Sequence, residues 1–261
     1  MDIRLDGKVV IVTGGSRGIG AAIAYALAAC GANVTVTARD AAALEAVSQR
    51  IESDTGARAL AVARDLREPD AAAAVVEQSI AAFGRLDILV NNAGATKRGD
   101  FLTLSDDDYL DGFALKFHAA VRFCRAAWPH LRASSGSIVN IAGVGANTPS
   151  ADFTIGGPVN AAVLNFTKAL ADRGLTEGIR INAINPGHII TDRLHRRVAA
   201  LAQAEGITIE EAHERSRQEA AVERFGESRE IASVVAFLCS EHGSYVHGVS
   251  LDVDGGTTRG I

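Results

Sequence analysis

The stretch VVIVTGGSRGIG, residues 9–20, decides how the rest of the chain reads. Val9, Val10, Ile11 and Val12 form a short β-branched apolar run, the pattern of a strand buried on both faces. Thr13 and Gly14 break the run, and Gly14, Gly18 and Gly20 permit a tight turn. From Ile19 onward the AAIAYALAA pattern reads as a helix with a buried face. Strand, glycine turn and helix start together aim free backbone N–H groups and a positive dipole end at one point, which suits a pyrophosphate. The same glycines would also serve an ordinary strand-to-helix turn, but here a strand precedes them and a helix follows.

Outward from this stretch the chain keeps a strand–helix rhythm. NVTVTA at 33–38 alternates after a helix stop at Gly31, and a helix over 41–55 ends at Gly56. A strand at 58–63 leads to Asp65, a helix over 69–83 stops at Gly84, and LDILV at 86–90 delivers Asn91-Asn92-Ala93-Gly94. Ser105 with Asp108 opens a long helix over about 108–132, followed by a strand at 137–142 and a helix over 158–171. A strand at 180–184 runs into Asn185-Pro186-Gly187, and a last helix reaches Ser240 before a strand at 249–253. Such alternation predicts an α/β fold, a Rossmann-type doubly wound parallel sheet of about seven strands with helices on both faces. Ligands belong at the carboxyl ends of its strands. Residues 192–223 depart from the rhythm as two polar helical pieces, read as a substrate lid or as a plain surface insertion.

The 261 residues carry no linker or composition shift, so a single domain over 1–261 is expected. A net charge of −5 argues against nucleic-acid or anionic-membrane partners. No apolar run is long enough to span a bilayer and no signal-peptide core precedes the first strand, so a cytoplasmic protein is expected. Cys30, Cys124 and Cys239 are few and far apart, and read as reduced small hydrophobes rather than metal ligands.

The TGxxxGxG spacing of residues 13–20, together with Asn91-Asn92-Ala93-Gly94, resembles the short-chain dehydrogenase/reductase family, and the resemblance runs from about Gly7 to Gly256. It implies cofactor contacts from Gly14, Ser16, Arg17, Gly18, Ile19 and Gly20 in the loop, and from Arg39, Asp65, Asn91, Ala93 and Gly94. It further implies that Pro186, Gly187, Ile189 and Thr191 form a loop over a nicotinamide, and that Asp65 meets the adenine edge. A helix-capping aspartate ahead of Pro69 is the alternative for Asp65. After the second strand the sequence places Ala38 and Arg39 where an acid would accept the ribose hydroxyls of NAD. Arg17 and Arg39 instead offer two guanidiniums to a 2′-phosphate, so NADP(H) is expected; either could also be a solvated surface charge. The long helix carries Phe113, Phe117, Val121 and Phe123, and by resemblance it packs against its own copy in a homodimer or homotetramer.

The family's catalytic positions hold unexpected residues. Local register puts Lys116 at the family's asparagine, Gly143 at its serine, Gly156 at its tyrosine and Asn160 at its lysine. Lysine and asparagine have in effect exchanged helices, so an ammonium and a carboxamide still flank the expected pocket. Lys116 and Asn160 are therefore the catalytic candidates; a snorkelling surface lysine and a helix-start asparagine are the alternatives. Two glycines imply a roomier pocket, and His188 is a further proton-carrier candidate. Three readings follow: an NADP(H)-dependent oxidoreductase acting on a carbonyl or alcohol, with Lys116 as proton carrier; an inactive NADP(H)-binding protein; and a non-redox lyase or isomerase on the same fold.

Overall fold

The computed structural model describes residues 2–259. In chain order its elements begin with β1 Val9–Thr13, α1 Gly18–Ala29, β2 Asn33–Ala38, α2 Ala41–Thr55, β3 Ala59–Ala63, α3 Ala71–Phe83 and β4 Ile88–Asn91. Then come α4 Asp106–Phe113, α5 Ala119–Ser134, β5 Ser137–Ile141, α6 Gly156–Glu177, β6 Arg180–Pro186 and β7 Ile189–Ile190. The last are α7 Asp192–Glu205, α8 Ile209–Glu219, β8 Gly226–Glu227, α9 Ser228–Cys239 and β9 Ser250–Val253.

Seven strands form one parallel sheet in the order β3-β2-β1-β4-β5-β6-β9. The chain winds outward one way from β1 to β3, then returns to lay β4 on the other side of β1. The switch point between β1 and β4 opens a crevice at the carboxyl ends of the strands. Both faces of β1 are buried, as its apolar run requires. Val10 and Val12 join Ile23, Leu27, Leu44 and Val235 on the α1–α2–α9 side. Val9 and Ile11 join Val75, Phe123 and Leu131 on the α3–α5 side.

The long helix is interrupted, contrary to the continuous α-helix expected over 108–132. A capping box of Ser105 and Asp108 starts α4, but Ala114–His118 form a π-helical turn in which Ala119 N–H donates to Ala114 O. The extra residue rotates the following helix face, and π-turns of this kind gather at functional sites. Lys116 sits within this turn. Phe123 lies in the core with no exposure, so it adds nothing to an outer apolar face. Residues 192–223 form an α7–α8 hairpin with its own small apolar cluster of Leu194, Val198, Ala202, Ala212, Val222 and Phe225. No helix among the described residues is long and apolar enough to cross a membrane.

Candidate active site

A continuous cleft of about 1520 Å³ runs along the carboxyl ends of the strands, from the glycine loop to the α7–α8 hairpin. Gly14, Ser16, Arg17, Gly18, Ile19 and Gly20 line one end with Arg39, and Ala93 and Gly94 line the middle. Pro186, Gly187, Ile189 and Thr191 close over it beside Lys116 and Asn160.

The glycine loop is tight for steric reasons. A Cβ on Gly20 would collide with Gly14 O, and one on Gly14 would lie 2.9 Å from Ala93 Cα. Gly14 and Gly18 also have positive φ, +66° and +54°. Thr13 Oγ1 accepts from Asn92 N–H (2.9 Å) and Ala93 N–H (3.0 Å), and the Asn92 amide donates back to Thr13 O (3.0 Å). These bonds lock the loop after β4 to the end of β1, which fixes the crevice where the two strands part.

Two residues implied as cofactor contacts lie outside the lining. Asn91 is buried at the end of β4 and donates to Asn140 Oδ1 on β5 at 2.9 Å. Asp65 accepts from its neighbour Arg67, through the backbone N–H at 3.1 Å and the guanidinium at 3.3 Å. That bond closes a turn, and α3 starts later, at Ala71, with Asp70 at its N-cap position making no side-chain cap. Arg39 points toward Asp65, 4.0 Å away, and Arg17 lies 3.6 Å from Asp40. Both arginines are exposed at the mouth of the cleft. Arg64 and Asp40 also line this end, and the sequence reading missed them. Asp40 was hidden as an ordinary helix cap, which it also is, accepting from Ala43 N–H at 3.1 Å.

At the other end Lys116 and Asn160, 44 residues apart, are in direct contact. Lys116 Nζ donates to Asn160 Oδ1 and to Ala142 O, each at 2.6 Å. Gly94 lets the lysine through, because a Cβ there would lie 2.8 Å from its Cδ. Burial, and then the nearby Arg193 guanidinium, push the Lys116 ammonium down to about 7. Two acceptors satisfy two N–H bonds of a neutral amine, so the third position on nitrogen is where a proton comes and goes. The Asn160 amide nitrogen lies beside Gly143, whose φ is +148° and whose added Cβ would stand 3.0 Å from Nδ2. The carboxamide thus presents its N–H groups at the position where the family implies a serine.

Around Gly156 the pocket is not roomier. The Phe153 ring fills that space, and a Cβ on Gly156 would collide with it. The Arg98 guanidinium stacks on the same ring, 3.8 Å from its centroid, and donates to Asp152 at 2.8 Å. His188 Nδ1 accepts from Arg197 at 3.4 Å, and burial with Arg197 and Arg98 nearby lowers the imidazole below its usual range. It is therefore held neutral and faces a guanidinium, an environment poor for a proton donor. Arg193 reaches across the cleft and donates to Gly94 O at 2.8 Å. Arg98, Arg193 and Arg197 were missed because each sits in a polar run that reads as a solvated face; the spacing of four between Arg193 and Arg197 was the available signal.

Comparison with known proteins bears on the family and the fold. Residues 14–258 match the family model described as enoyl-(acyl carrier protein) reductase. An uncharacterized oxidoreductase of Mycobacterium tuberculosis is 38% identical, over 98% of this chain and 94% of that protein. The 3-oxoacyl-[acyl-carrier-protein] reductase FabG of Aquifex aeolicus is 33% identical, over 98% and 99%. Among solved structures, L-sorbose reductase from Gluconobacter frateurii, complexed with NADPH and L-sorbose, superposes with a TM-score of 0.96 at 35% identity, covering 100% of both chains. A short-chain dehydrogenase from Burkholderia cenocepacia in complex with NADP gives 0.87 at 35% identity, covering 97% of this chain and 99% of that one.

Proposed function

The chain belongs to the short-chain dehydrogenase/reductase family of oxidoreductases, and from that premise we propose that it binds NADP(H) and reduces a carbonyl with Lys116 as proton carrier. The cofactor fits the glycine loop, which lines the cleft at the start of α1: side chains at Gly14 and Gly20 would collide with Ala93, Asn92 and Gly14 O and break the tight turn that presents the helix N-terminus to a pyrophosphate. Arg17 and Arg39 would hold the 2′-phosphate, and no acid occupies position 38. Complexes of relatives with NADPH and NADP support the same choice. When bound, the nicotinamide supplies the hydride.

The observation that carries the catalytic reading is the Lys116–Asn160 contact beside Ala142. Asn160 and Ala142 orient the amine, and its exchangeable proton faces the cleft. Asn160 Nδ2 donates to the substrate oxygen, as the missing serine would, and Lys116 gives that oxygen a proton as it becomes an alcohol. An ammonium near 7 holds a proton in half the molecules at neutral pH and releases it readily. Solvent then recharges the amine. The α7–α8 hairpin acts as the lid over this site.

A panel of ketones and aldehydes with NADPH, followed by loss of nicotinamide absorbance, tests the reading. Reduction should fall as pH rises through about 7, because the protonated amine is the donor, and oxidation should rise over the same interval. Firm NADPH binding with no turnover of any carbonyl would instead favour a cofactor-binding protein without activity. The α4–α5 region, with Phe113, Phe117 and Trp128 partly buried, is the self-association face we propose. Light scattering at micromolar concentration should report a dimer or tetramer, and a monomer would refute that face.

A further inference from the structure

The lid end of the cleft holds more positive charge than its own carboxylates neutralise. Arg193 and Arg197 lie one turn apart on the same face of α7, where like charges oppose each other. Arg98, from the loop after β4, stands close enough to disfavour the charged forms of Arg193, Arg197 and His188 alike. Burial weighs on all three in the same direction. Three carboxylates line this part of the cleft, Asp152, Asp192 and Glu219. Asp152 pairs with Arg98 at 2.8 Å, and Glu219 is engaged by Arg215 at 3.3 Å. Among the described residues no carboxylate pairs with Arg193 or Arg197; their side chains instead reach Gly94 O and His188 Nδ1. Asp152 and Glu219 favour the charged form of Arg197 but do not outweigh burial and Arg98, while burial, Arg196 and Arg98 all disfavour that of Arg193. Cations crowded in this way cost stability, and a bound anion relieves that cost.

We propose that the substrate of this site carries an anionic group, a carboxylate or a phosphate, which Arg197 and Arg193 grip with Arg98 while its carbonyl meets Lys116 and Asn160. The planar guanidinium fork suits either anion, with two parallel N–H donors. The inference rests on the NADPH-dependent carbonyl reductase reading. It also gives the substrate a say in its own protonation. An anion seated beside Arg193 offsets the charge that helps hold the Lys116 ammonium low, so the amine gains its proton as the substrate arrives. The other charged and titratable groups lining this end of the cleft are Arg98, Arg196, Arg197 and His188, with Asp152, Asp192 and Glu219.

Binding and turnover test this separately. With the NADP-loaded protein, malonate should bind at least about tenfold more tightly than malonamide, a gap that Arg197→Gln should largely remove. Equal affinity for the two, or displacement of NADP by malonate, would overturn the anion site. For turnover, oxo acids of three to six carbons are compared with their methyl esters, and dihydroxyacetone phosphate with dihydroxyacetone. In at least one pair the anion should have about tenfold higher kcat/KM, and that pair identifies carboxylate or phosphate as the group. In Arg197→Gln the ratio for that pair should fall toward one, a readout that general damage to the fold would not produce, since both members share the protein. Reduction of neutral and anionic members at equal efficiency overturns the anion site and leaves the reductase reading standing. Malonate binding without reduction of any carbonyl does the reverse.

Discussion

At the glycine-loop end of the cleft the wall is shaped by glycines that leave out a side chain; at the lid end it is shaped by side chains in contact. Gly14, Gly18 and Gly20 act by having no Cβ, which lets Gly14 pack on Ala93, Gly18 on Thr191 and Gly20 on Gly14 O. Lys116, Asn160, Phe153 and Arg98 act through contacts between distant segments, and each has meaning only once the others are placed. A site made of backbone tolerates little change, because any side chain at Gly20 meets Gly14 O. A site made of side chains can trade partners and keep its chemistry. Lys116 in the π-turn and Asn160 on α6 make such a pair, with Nζ 2.6 Å from Oδ1.

The severest test of this contrast removes the lysine. Lys116→Met should lower kcat by about 10²–10⁴-fold, the usual contribution of a positioned acid–base group, while NADPH affinity changes by less than about threefold. Isothermal titration with NADPH beside steady-state rates checks both halves. Full activity in the variant on a substrate the native protein reduces would mean that the lysine is structural and the two ends are not functionally divided.

The converse change belongs to the glycine-loop end. Ala38→Asp combined with Arg39→Leu places a carboxylate where ribose hydroxyls would bind and deletes one cation from the 2′-phosphate site. The preference should turn from NADP toward NAD by about 10²-fold, consistent with loss of a charge-assisted pair and gain of a repulsion. The pH profile should stay where it was. Equal native affinity for the two cofactors would break the assignment of Arg17 and Arg39.

What the sequence disclosed divides along the same line. β1, the glycine turn and a doubly wound parallel sheet of about seven strands were legible because hydrophobic period and glycine spacing are local signals; the order of the strands was not read. The positions of Lys116 and Asn160 were legible through register, but not their contact, which depends on the π-turn at Ala114–His118. Nothing in the local pattern marks that turn, and a continuous helix was the natural expectation. Gly156 suggested open space, and only the packing of Phe153 over it shows the space filled. Restoring a tyrosine at 156 therefore requires removing the Phe153 ring as well. Arg193 and Arg197 sit among polar residues on α7, and their place in the cleft lining depends on distant segments, which local sequence does not describe.

A milder change retunes the lysine without removing it. Asn160→Asp puts a carboxylate where the amide oxygen lies 2.6 Å from Nζ, and an opposite charge at that range favours the ammonium. The fall in reduction rate should move from about 7 to higher pH by more than about one unit, and oxidation at neutral pH should slow because less free amine is present. An unmoved profile would show that the titrating group is not Lys116.

The smallest shift of the pH profile is expected from Arg193→Gln. Burial is the first cause of the lowered Lys116 ammonium and Arg193 the second, so deleting the guanidinium recovers only part of the shift. Removing a neighbouring positive charge makes the protonated amine easier to hold, and its pKa rises. Below that pKa the amine carries the proton that reduction consumes, so the descending limb of the reduction profile moves up from about 7, by less than one unit. The ascending limb for oxidation moves the same way. Raising the ionic strength in the native protein should give a weaker version of the same displacement, since Arg193 acts across a partly solvated cleft. A limb that moves downward in Arg193→Gln would mean that the substitution has tightened burial around Nζ, and that the guanidinium was shielding the amine from the cleft wall rather than repelling its proton.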